Sequence, residues 1–308
     1  MLKVSNLTKT FGRVVAVDHI DFKVSIGEIF GFLGPNGAGK TTTINMICGL
    51  LKPDSGDIEL DGQLLTADRP SLRQKLGVVP QEIALYEELN AIENLNFWGQ
   101  LYDMHGKILR SKISELLELS GLADRARDRV KTYSGGMKRR LNMIAGLLHN
   151  PALLLLDEPT VGIDPQARHN ILDSVKEIAA QGTTILYTTH YLDEAEDLCD
   201  RLAIIDHGRI LAMGTQEEMK QIVGENSIIR ISGDIIKEEI EALVKRFPYI
   251  NLESLQEREV LLSIPSAAGA GESIEAVINS GIKIDHLQIR EPSLDSVFIK
   301  LTGRELRD

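Results

Sequence analysis

Apolar and polar residues alternate along the first sixty residues of the chain, which is the pattern of strands with one buried face. The alternation predicts strands at residues 2–7, 13–17 and 20–24. Residues 27–33 are mostly apolar and predict a buried strand that ends in a glycine-rich turn. A helix is predicted after that turn, over residues 40–50. The chain therefore begins with a β-rich region that leads into a strand–turn–helix unit.

Strands and helices then alternate as far as residue 206. Strands are predicted at residues 57–60, 153–156, 183–188 and 202–206, and helical segments at 90–122, 166–181 and 192–200. Strands that alternate with helices of this length favour a mostly parallel sheet covered on both faces, which is an α/β fold.

The last part of the chain has a different pattern. Strands are predicted at residues 228–232, 251–255, 259–264 and 283–289, and helices at 235–247, 271–280 and 293–302. The order strand-helix-strand-strand-helix-strand is that of a ferredoxin-like unit. We therefore predict two domains, at residues 1–218 and 219–308, the second a small α+β domain.

Composition and charge narrow the classes of partner. Apolar residues make up 43% and charged residues 26% of the chain, as in ordinary globular proteins. No stretch reaches the roughly 18 to 20 apolar residues that cross a bilayer, and residues 1–5 lack the apolar core of a secretory signal. The net charge of −11 disfavours nucleic acid as a partner. We expect a cytoplasmic chain, without a nucleic-acid partner, that reaches a membrane only through another protein.

A phosphate-binding loop is the sharpest chemical signal. Residues 34–41 read Gly-Pro-Asn-Gly-Ala-Gly-Lys-Thr and lie between a predicted strand and a predicted helix, as this loop requires. Its glycines let backbone N–H groups turn toward phosphate oxygens, and the helix N-terminus adds partial positive charge. Lys40 is expected to reach the β- and γ-phosphates, and the Thr41 hydroxyl to ligate Mg²⁺. The residues expected to contact the nucleotide are Asn36, Gly37, Ala38, Gly39, Lys40, Thr41 and Thr42.

A pair of acids follows the apolar strand at residues 153–156. Asp157 is placed to hold Mg²⁺, and Glu158, one residue further, to polarise the water that attacks the γ-phosphate. A strand that ends in two acids complements the phosphate loop, because triphosphate hydrolysis needs both a metal ligand and a group that activates water.

The sequence Tyr133-Ser134-Gly135-Gly136-Met137 makes the pattern specific. It resembles the signature of the ATP-binding-cassette family, which starts a helix and binds the γ-phosphate of an ATP held by a second subunit. Ser134, Gly135 and Gly136 are small, so a helix N-terminus can approach phosphate closely. Tyr133 and Met137 depart from the usual leucine and glutamine of the signature, but they leave the phosphate-facing positions unchanged.

Further motifs follow in the order and spacing of that family. Gln81 matches the glutamine loop, which links Mg²⁺ and water to a transmembrane partner. Asp164, in Gly162-Ile163-Asp164, matches the loop that crosses the dimer interface, and His190 matches the histidine that contacts the γ-phosphate. Phe11 matches the aromatic residue that stacks on adenine.

The resemblance covers about residues 1–214. It implies a P-loop NTPase cassette with a RecA-like core, an antiparallel β subdomain and a helical subdomain at about residues 87–145. It also implies an ATPase that works as an ATP-dependent homodimer, with ATP and Mg²⁺ at the interface. The roles implied are catalysis by Glu158, His190 and Gln81, metal binding by Thr41, Gln81 and Asp157, and contact with the other copy's ATP by Ser134, Gly135, Gly136 and Asp164.

The C-terminal sequence from Glu291-Pro292-Ser293 to Phe298, followed by Leu301-Thr302-Gly303, resembles the tail of cassettes in the drug- and antibiotic-export branch, such as the daunorubicin-resistance type. That resemblance implies export of a drug, an antibiotic, a lipid-like compound or an ion through a separate six-helix membrane permease. The chain would then sit on the inner face of the cell membrane.

Three other functions stay open at this point: an importer motor, a cassette ATPase that acts on ribosomes or DNA, and a nucleotide sensor with little turnover. The export-like tail disfavours the importer. The negative net charge and the presence of one cassette disfavour the ribosome- or DNA-acting protein.

Overall fold

The computed structural model describes residues 1–66, 68–223, 226–265, 270–290 and 293–303. The chain divides into two compact units, Met1–Leu211 and Ala212–Asp308. The sequence prediction placed the boundary after residue 218. Within the described ranges, no helix has the length and apolar character needed to span a bilayer.

An antiparallel sheet begins the first unit. Its strands lie in the order β2-β1-β4-β5, and their bounds are β1 (Leu2–Phe11), β2 (Val14–Val24), β4 (Ser55–Leu60) and β5 (Gln63–Leu64). The two strands predicted at residues 13–17 and 20–24 are one strand. His19 adopts a left-handed φ of 52°, and the pairing of β1 with β2 continues past that irregularity.

A six-stranded sheet forms the centre of the first unit, in the order β10-β9-β3-β8-β7-β6. The bounds are β3 (Ile29–Leu33), β6 (Leu76–Val79), β7 (Leu153–Asp157), β8 (Thr184–Thr189), β9 (Arg201–Asp206) and β10 (Arg209–Thr215). Strands β9, β3, β8, β7 and β6 are parallel neighbours. Every residue of β3, β7 and β8 is buried, as expected for strands covered on both faces.

Helices follow the strands of this sheet: α1 (Lys40–Ile47), α6 (Pro165–Ala180) and α7 (Leu192–Leu198). The α/β architecture predicted from the sequence is confirmed. Strands β6 and β10 were not predicted, and α1 and α7 end two or three residues before their predicted ends.

The chain between β5 and β7 forms a mostly helical region, which β6 interrupts after the first helix. It contains α2 (Pro70–Arg73), α3 (Ala91–Leu101), α4 (Gly106–Leu119) and α5 (Gly135–Ala145). Asn90 and Glu93 form a capping box that starts α3. The single helical segment predicted at residues 90–122 is two helices, because the chain turns through a left-handed Asp103 and Gly106.

The second unit has a ferredoxin-like arrangement of four strands and their helices. After α8 (Gln216–Val223) come β11 (Asn226–Asp234), α9 (Lys237–Arg246), β12 (Asn251–Gln256), β13 (Glu259–Pro265), α10 (Ala270–Ile278), β14 (Lys283–Arg290) and α11 (Leu294–Thr302). The strand order is β12-β13-β11-β14, with antiparallel neighbours. The predicted order of strands and helices is confirmed, and helix α8 was not predicted. Glu291 and Pro292 of the export-like tail lie outside the described residues.

Candidate active site

The phosphate loop joins β3 to α1. A Cβ atom on Gly34 would lie 2.1 Å from the backbone oxygen of Ile205, and one on Gly39 would lie 2.4 Å from that of Ala16. Gly39 also has a φ of 108°, a conformation that other residues rarely adopt. The loop therefore packs tightly against β2 and β9, and only glycine fits at these two positions.

The start of α1 is open to an anion. The N-cap is Gly39, which has no side chain that could cap the helix, and the first turn contains no acidic residue. Asn36, Gly37 and Thr41 are exposed, whereas Ala38 is buried and Thr42 half-buried. Uncapped N–H groups and the helix dipole together favour phosphate at this position.

Lys40 lies inside the loop and is buried. Its Nζ donates to the backbone oxygens of Gly34 (2.6 Å) and Pro35 (3.0 Å), and lies 2.9 Å from Oε1 of Glu158. A buried ammonium needs such partners, because desolvation otherwise disfavours its charge. The lysine is thus held where phosphates would enter, with a carboxylate as its counter-ion.

Glu158 is held in a strained backbone conformation. Its φ is 44°, and its N–H donates to Oγ1 of Thr188 at 2.9 Å. Its Oε2 lies 3.3 Å from Nδ1 of His190, so Lys40, Glu158 and His190 form one buried group. Non-glycine residues at positive φ cluster at functional sites, which agrees with a role for Glu158 in the chemistry.

Asp157 ends β7 and is buried. Oδ1 accepts a hydrogen bond from Thr188 Oγ1 at 2.8 Å, and the Thr41 hydroxyl also bonds the carboxylate. Burial raises the pKa of Asp157, while the Thr188 and Thr41 hydroxyls act in the opposite direction. One carboxylate beside one hydroxyl fits Mg²⁺, which is usually bound by one or two carboxylates, water and the phosphates of a substrate. Among the described residues, no three His, Cys, Asp or Glu side chains form a metal-binding group.

Gln81 follows β6 and is held by a residue that sequence reasoning missed. Arg139 is 5% exposed, and its Nη1 donates to the backbone oxygen of Gln81 at 2.5 Å. Its Nη2 reaches the backbone oxygen of Val161 at 3.5 Å, and burial lowers its pKa. In the sequence Arg139 stands in a short basic run that is typical of a solvated helix face. No signal in the sequence alone marks it as buried.

The signature residues stand at the start of α5. Ser134 is the N-cap, with its Oγ 3.2 Å from the backbone N–H of Met137. Ser134 and Gly135 are exposed, Gly136 is buried and Met137 half-buried. Tyr133 is buried and donates to the backbone oxygen of Arg125 at 2.7 Å, so this departure from the usual signature packs inside the helical region.

Asp164 and Phe11 are both exposed. Asp164 caps α6, with Oδ1 accepting from the N–H of Ala167 at 2.9 Å. Phe11 ends β1 and is 50% exposed, with Lys9 Nζ 5.7 Å from its ring centroid. An exposed ring at the end of a hairpin that borders the phosphate loop is able to stack on a base.

The strand order explains which predicted residues meet. Strands β3, β8 and β7 are adjacent, so their carboxyl ends lie at one edge of the sheet. This edge unites Lys40, Thr41, Asp157, Glu158 and His190 through the contacts above. Ser134, Gly135 and Asp164 instead stand exposed at the starts of α5 and α6.

Comparison with known proteins identifies the family of the chain. The family model "ABC transporter" matches residues 17–161. The chain is 44% identical to the linearmycin resistance ATP-binding protein LnrL of Bacillus subtilis, over 100% of both chains. It belongs to the ABC transporter ATP-binding family.

Other members of the ABC family are similar to the whole chain or to most of it. The daunorubicin resistance ATP-binding protein DrrA3 of Streptomyces coeruleorubidus is 38% identical, over 99% of this chain and 97% of that protein. The Nod factor export ATP-binding protein I of Cupriavidus metallidurans is 37% identical, over 100% and 99%. A solved dimeric cassette in a post-hydrolysis state with ADP and Pi is 28% identical with a TM-score of 0.63, and the match covers 70% of this chain and 98% of that one. The chain is an ATPase of this family.

The signature helix allows a matched test of packing. A Cβ on Gly136 would lie 2.5 Å from the Cβ of Ala167, whereas one on Gly135 would find its nearest neighbour, Ile163 Cδ1, at 3.5 Å. We expect Gly136→Ala to destabilise the chain by about 1–3 kcal/mol, because α5 and α6 must separate. Gly135→Ala should have no cost or a small gain, because alanine favours the helix. Urea unfolding followed by circular dichroism measures both, and equal stabilities would contradict the close approach of the two helices.

Proposed function

We propose that the chain is the motor subunit of an exporter, which hydrolyses ATP to drive an antibiotic, a drug, a lipid-like compound or an ion through a separate membrane permease. The relatives named for antibiotic resistance and for export match the chain over almost its whole length. The likeness therefore includes the C-terminal unit. The observation that carries the ATPase part of the proposal is the buried contact of Glu158 with both Lys40 and His190.

The arrangement of Lys40 suggests how binding prepares hydrolysis. Lys40 and the first N–H groups of α1 would hold the β- and γ-phosphates, and Phe11 would stack on adenine. An incoming γ-phosphate competes for the Lys40 donor that now faces Glu158. Release from Lys40 leaves the Glu158 carboxylate able to accept a proton from the attacking water, while His190 faces the γ-phosphate.

The metal site would combine three residues. Thr41, Asp157 and Gln81 would hold Mg²⁺, which when bound neutralises charge on the phosphates. Arg139 fixes the backbone of Gln81 from the signature helix. Movement of that helix would therefore be transmitted to Gln81 through a single buried side chain.

A second copy of the chain would complete each site. Ser134 and Gly135 are exposed at a helix N-terminus, and Asp164 is exposed at another. The Ser134 hydroxyl and the first N–H groups of α5 suit the γ-phosphate of an ATP bound to another copy, because a helix N-terminus favours an anion. The exposed loop that carries Asp164 would cross the interface beside them. An ATP-dependent homodimer is therefore proposed, as in the dimeric cassette that the chain resembles.

A groove beside Gln81 fits a permease segment. It is lined by Cys48, Arg73, Trp98, Tyr102 and Asn142, among others. Three buried donors that line it have no hydrogen-bond partner among the described residues: Arg73 Nε, Trp98 Nε1 and Asn142 Nδ2. These three atoms have almost no accessible surface, so a docking partner does not reach them. The rings of Trp98 and Tyr102 do line the groove, and we propose that an apolar face of a cytoplasmic permease segment packs against them. The chain would thereby sit at the inner face of the membrane.

Each of the three alternative functions would give a different experimental result. A sensor would show little turnover. A ribosome- or DNA-acting cassette would not copurify with a membrane protein. An importer would differ from an exporter in its permease, and the names of the relatives favour the exporter.

Glu158→Gln should bind ATP with little change in affinity and lose turnover by about 10²–10⁴-fold, because the general base is removed. Lys40→Ala should lose ATP binding. Steady-state phosphate release and nucleotide titration measure both, with Glu177→Gln, an exposed glutamate on α6, as the matched control. Turnover at the wild-type rate in Glu158→Gln would remove Glu158 from its role.

The permease can be sought with tagged Glu158→Gln, expressed in the native cell and recovered from solubilised membranes with ATP present. A stoichiometric integral membrane protein, with six predicted helices, is the expected partner. Trp98→Ala removes a ring that lines the groove, so it should reduce that recovery, and the unfolding temperature of the variant is measured to separate this loss from a general loss of stability. Recovery with ribosomes or DNA in the soluble fraction would overturn the transporter proposal.

A further inference from the structure

A buried carboxylate with no assigned role lies behind the active site. Glu194, on α7, is 0% exposed. Its Oε1 accepts from the Thr160 hydroxyl at 2.6 Å. Its Oε2 accepts from the Tyr187 hydroxyl at 2.9 Å and the Thr189 hydroxyl at 2.7 Å. Three converging hydroxyl donors suit an acceptor-only carboxylate, and such bonds to a charged group are stronger than neutral ones.

The three hydroxyls belong to the chain segments that carry the catalytic side chains. Thr160 follows Glu158 by two residues. Thr189 precedes His190 directly, and its Oγ1 also accepts from the N–H of Tyr191 at 2.9 Å. The carboxylate therefore fixes the backbone on both sides of His190 and just beyond Glu158.

A cation extends this network to α6. Arg168 Nε lies 3.4 Å from Oε1 of Glu194, and the guanidinium carbon lies 3.8 Å from the centroid of the Tyr191 ring. That ring is 4.1 Å from the ring of His190. Since α6 begins at the Asp164 cap, Arg168 lies one turn from the loop proposed to face the second copy.

We propose that Glu194 is a positioning residue for ATP hydrolysis. It holds Glu158 and His190 at a fixed separation through Thr160 and Thr189, and it ties that separation to α6 through Arg168. The proposal rests on the roles assigned above to Glu158 and His190. Its physical basis is that buried charged networks have few alternative arrangements, because every lost hydrogen bond leaves a desolvated group.

The first test is Glu194→Gln, which keeps the shape of the side chain. An amide offers one acceptor oxygen and an NH₂ donor, so the hydroxyls on one side lose their acceptor. A small displacement of reacting groups lowers rates by up to about 100-fold, so kcat should fall roughly 10- to 100-fold. The KM for ATP should stay within about threefold, because Glu194 does not touch the phosphate loop. A wild-type kcat, or a loss confined to KM, would overturn the proposal.

A matched pair at Thr189 separates positioning from general destabilisation. Thr189→Ser keeps the hydroxyl and should retain most of the turnover. Thr189→Val keeps the volume but removes the hydroxyl, and should lower kcat as Glu194→Gln does. The double variant Glu194→Gln/Thr189→Val should lose less than the sum of the two single losses, because both changes disrupt the hydrogen bond between Thr189 and Glu194. Equal losses in Thr189→Ser and Thr189→Val, or additive losses in the double variant, would show a structural role only.

If Glu194→Gln fails to fold, the variants Thr189→Ser and Thr189→Val still test the proposal. Unfolding temperatures are measured for every variant. Glu158→Gln is assayed alongside to keep the two proposals apart. If Glu158→Gln abolishes turnover and Glu194→Gln keeps the wild-type kcat, the positioning proposal alone fails. If Glu158→Gln keeps its turnover, the proposed function fails first.

Discussion

The centre of the structure is a contact between three almost fully buried ionisable side chains, those of Lys40, Glu158 and His190. The fold around them keeps these groups together. Removing a charge from water costs several kcal/mol even after relaxation, so such a group persists only where partners are fixed. The Lys40–Glu158 distance of 2.9 Å depends on three adjacent parallel strands whose carboxyl ends share one edge. The phosphate loop follows the first of these strands, His190 follows the second, and Glu158 follows the third. The architecture of the sheet is thus the condition for the chemistry.

Two further buried ionic groups hold the parts that surround this centre. Arg139 links the signature helix to the backbone of Gln81, and Glu194 links the segments around Glu158 and His190 to α6. Both connect elements that are proposed to respond to the second copy or to the permease. The contact from α5 is the hydrogen bond of Arg139 to Gln81, and the contact from α6 is the ion pair of Arg168 with Glu194.

Much of this arrangement is predictable from the sequence, because it rests on local patterns. Local sequence patterns were enough to predict the central strands from their apolar runs, the phosphate loop from its glycines and the acidic pair at the end of β7. Strand β6 has only four residues, too few to show a period, and β10 is half-exposed at the sheet edge. Glu194 stands in an acidic run, Asp193-Glu194-Ala195-Glu196-Asp197, that is typical of a solvated helix. Its burial depends on contacts with Thr160 and Tyr187, which are distant in sequence, as the burial of Arg139 depends on Gln81 and Val161.

The proposed site shared between two copies is tested most directly by molar mass in solution. Light scattering of Glu158→Gln with and without Mg-ATP should show a doubled mass only with nucleotide. Ser134→Asp in the same background keeps the N-cap hydrogen bond but sets a carboxylate against the γ-phosphate, so this double variant should remain a monomer. A nucleotide-independent mass, or an ATP-dependent dimer that persists with Ser134→Asp, would contradict a site completed by the signature of a second copy.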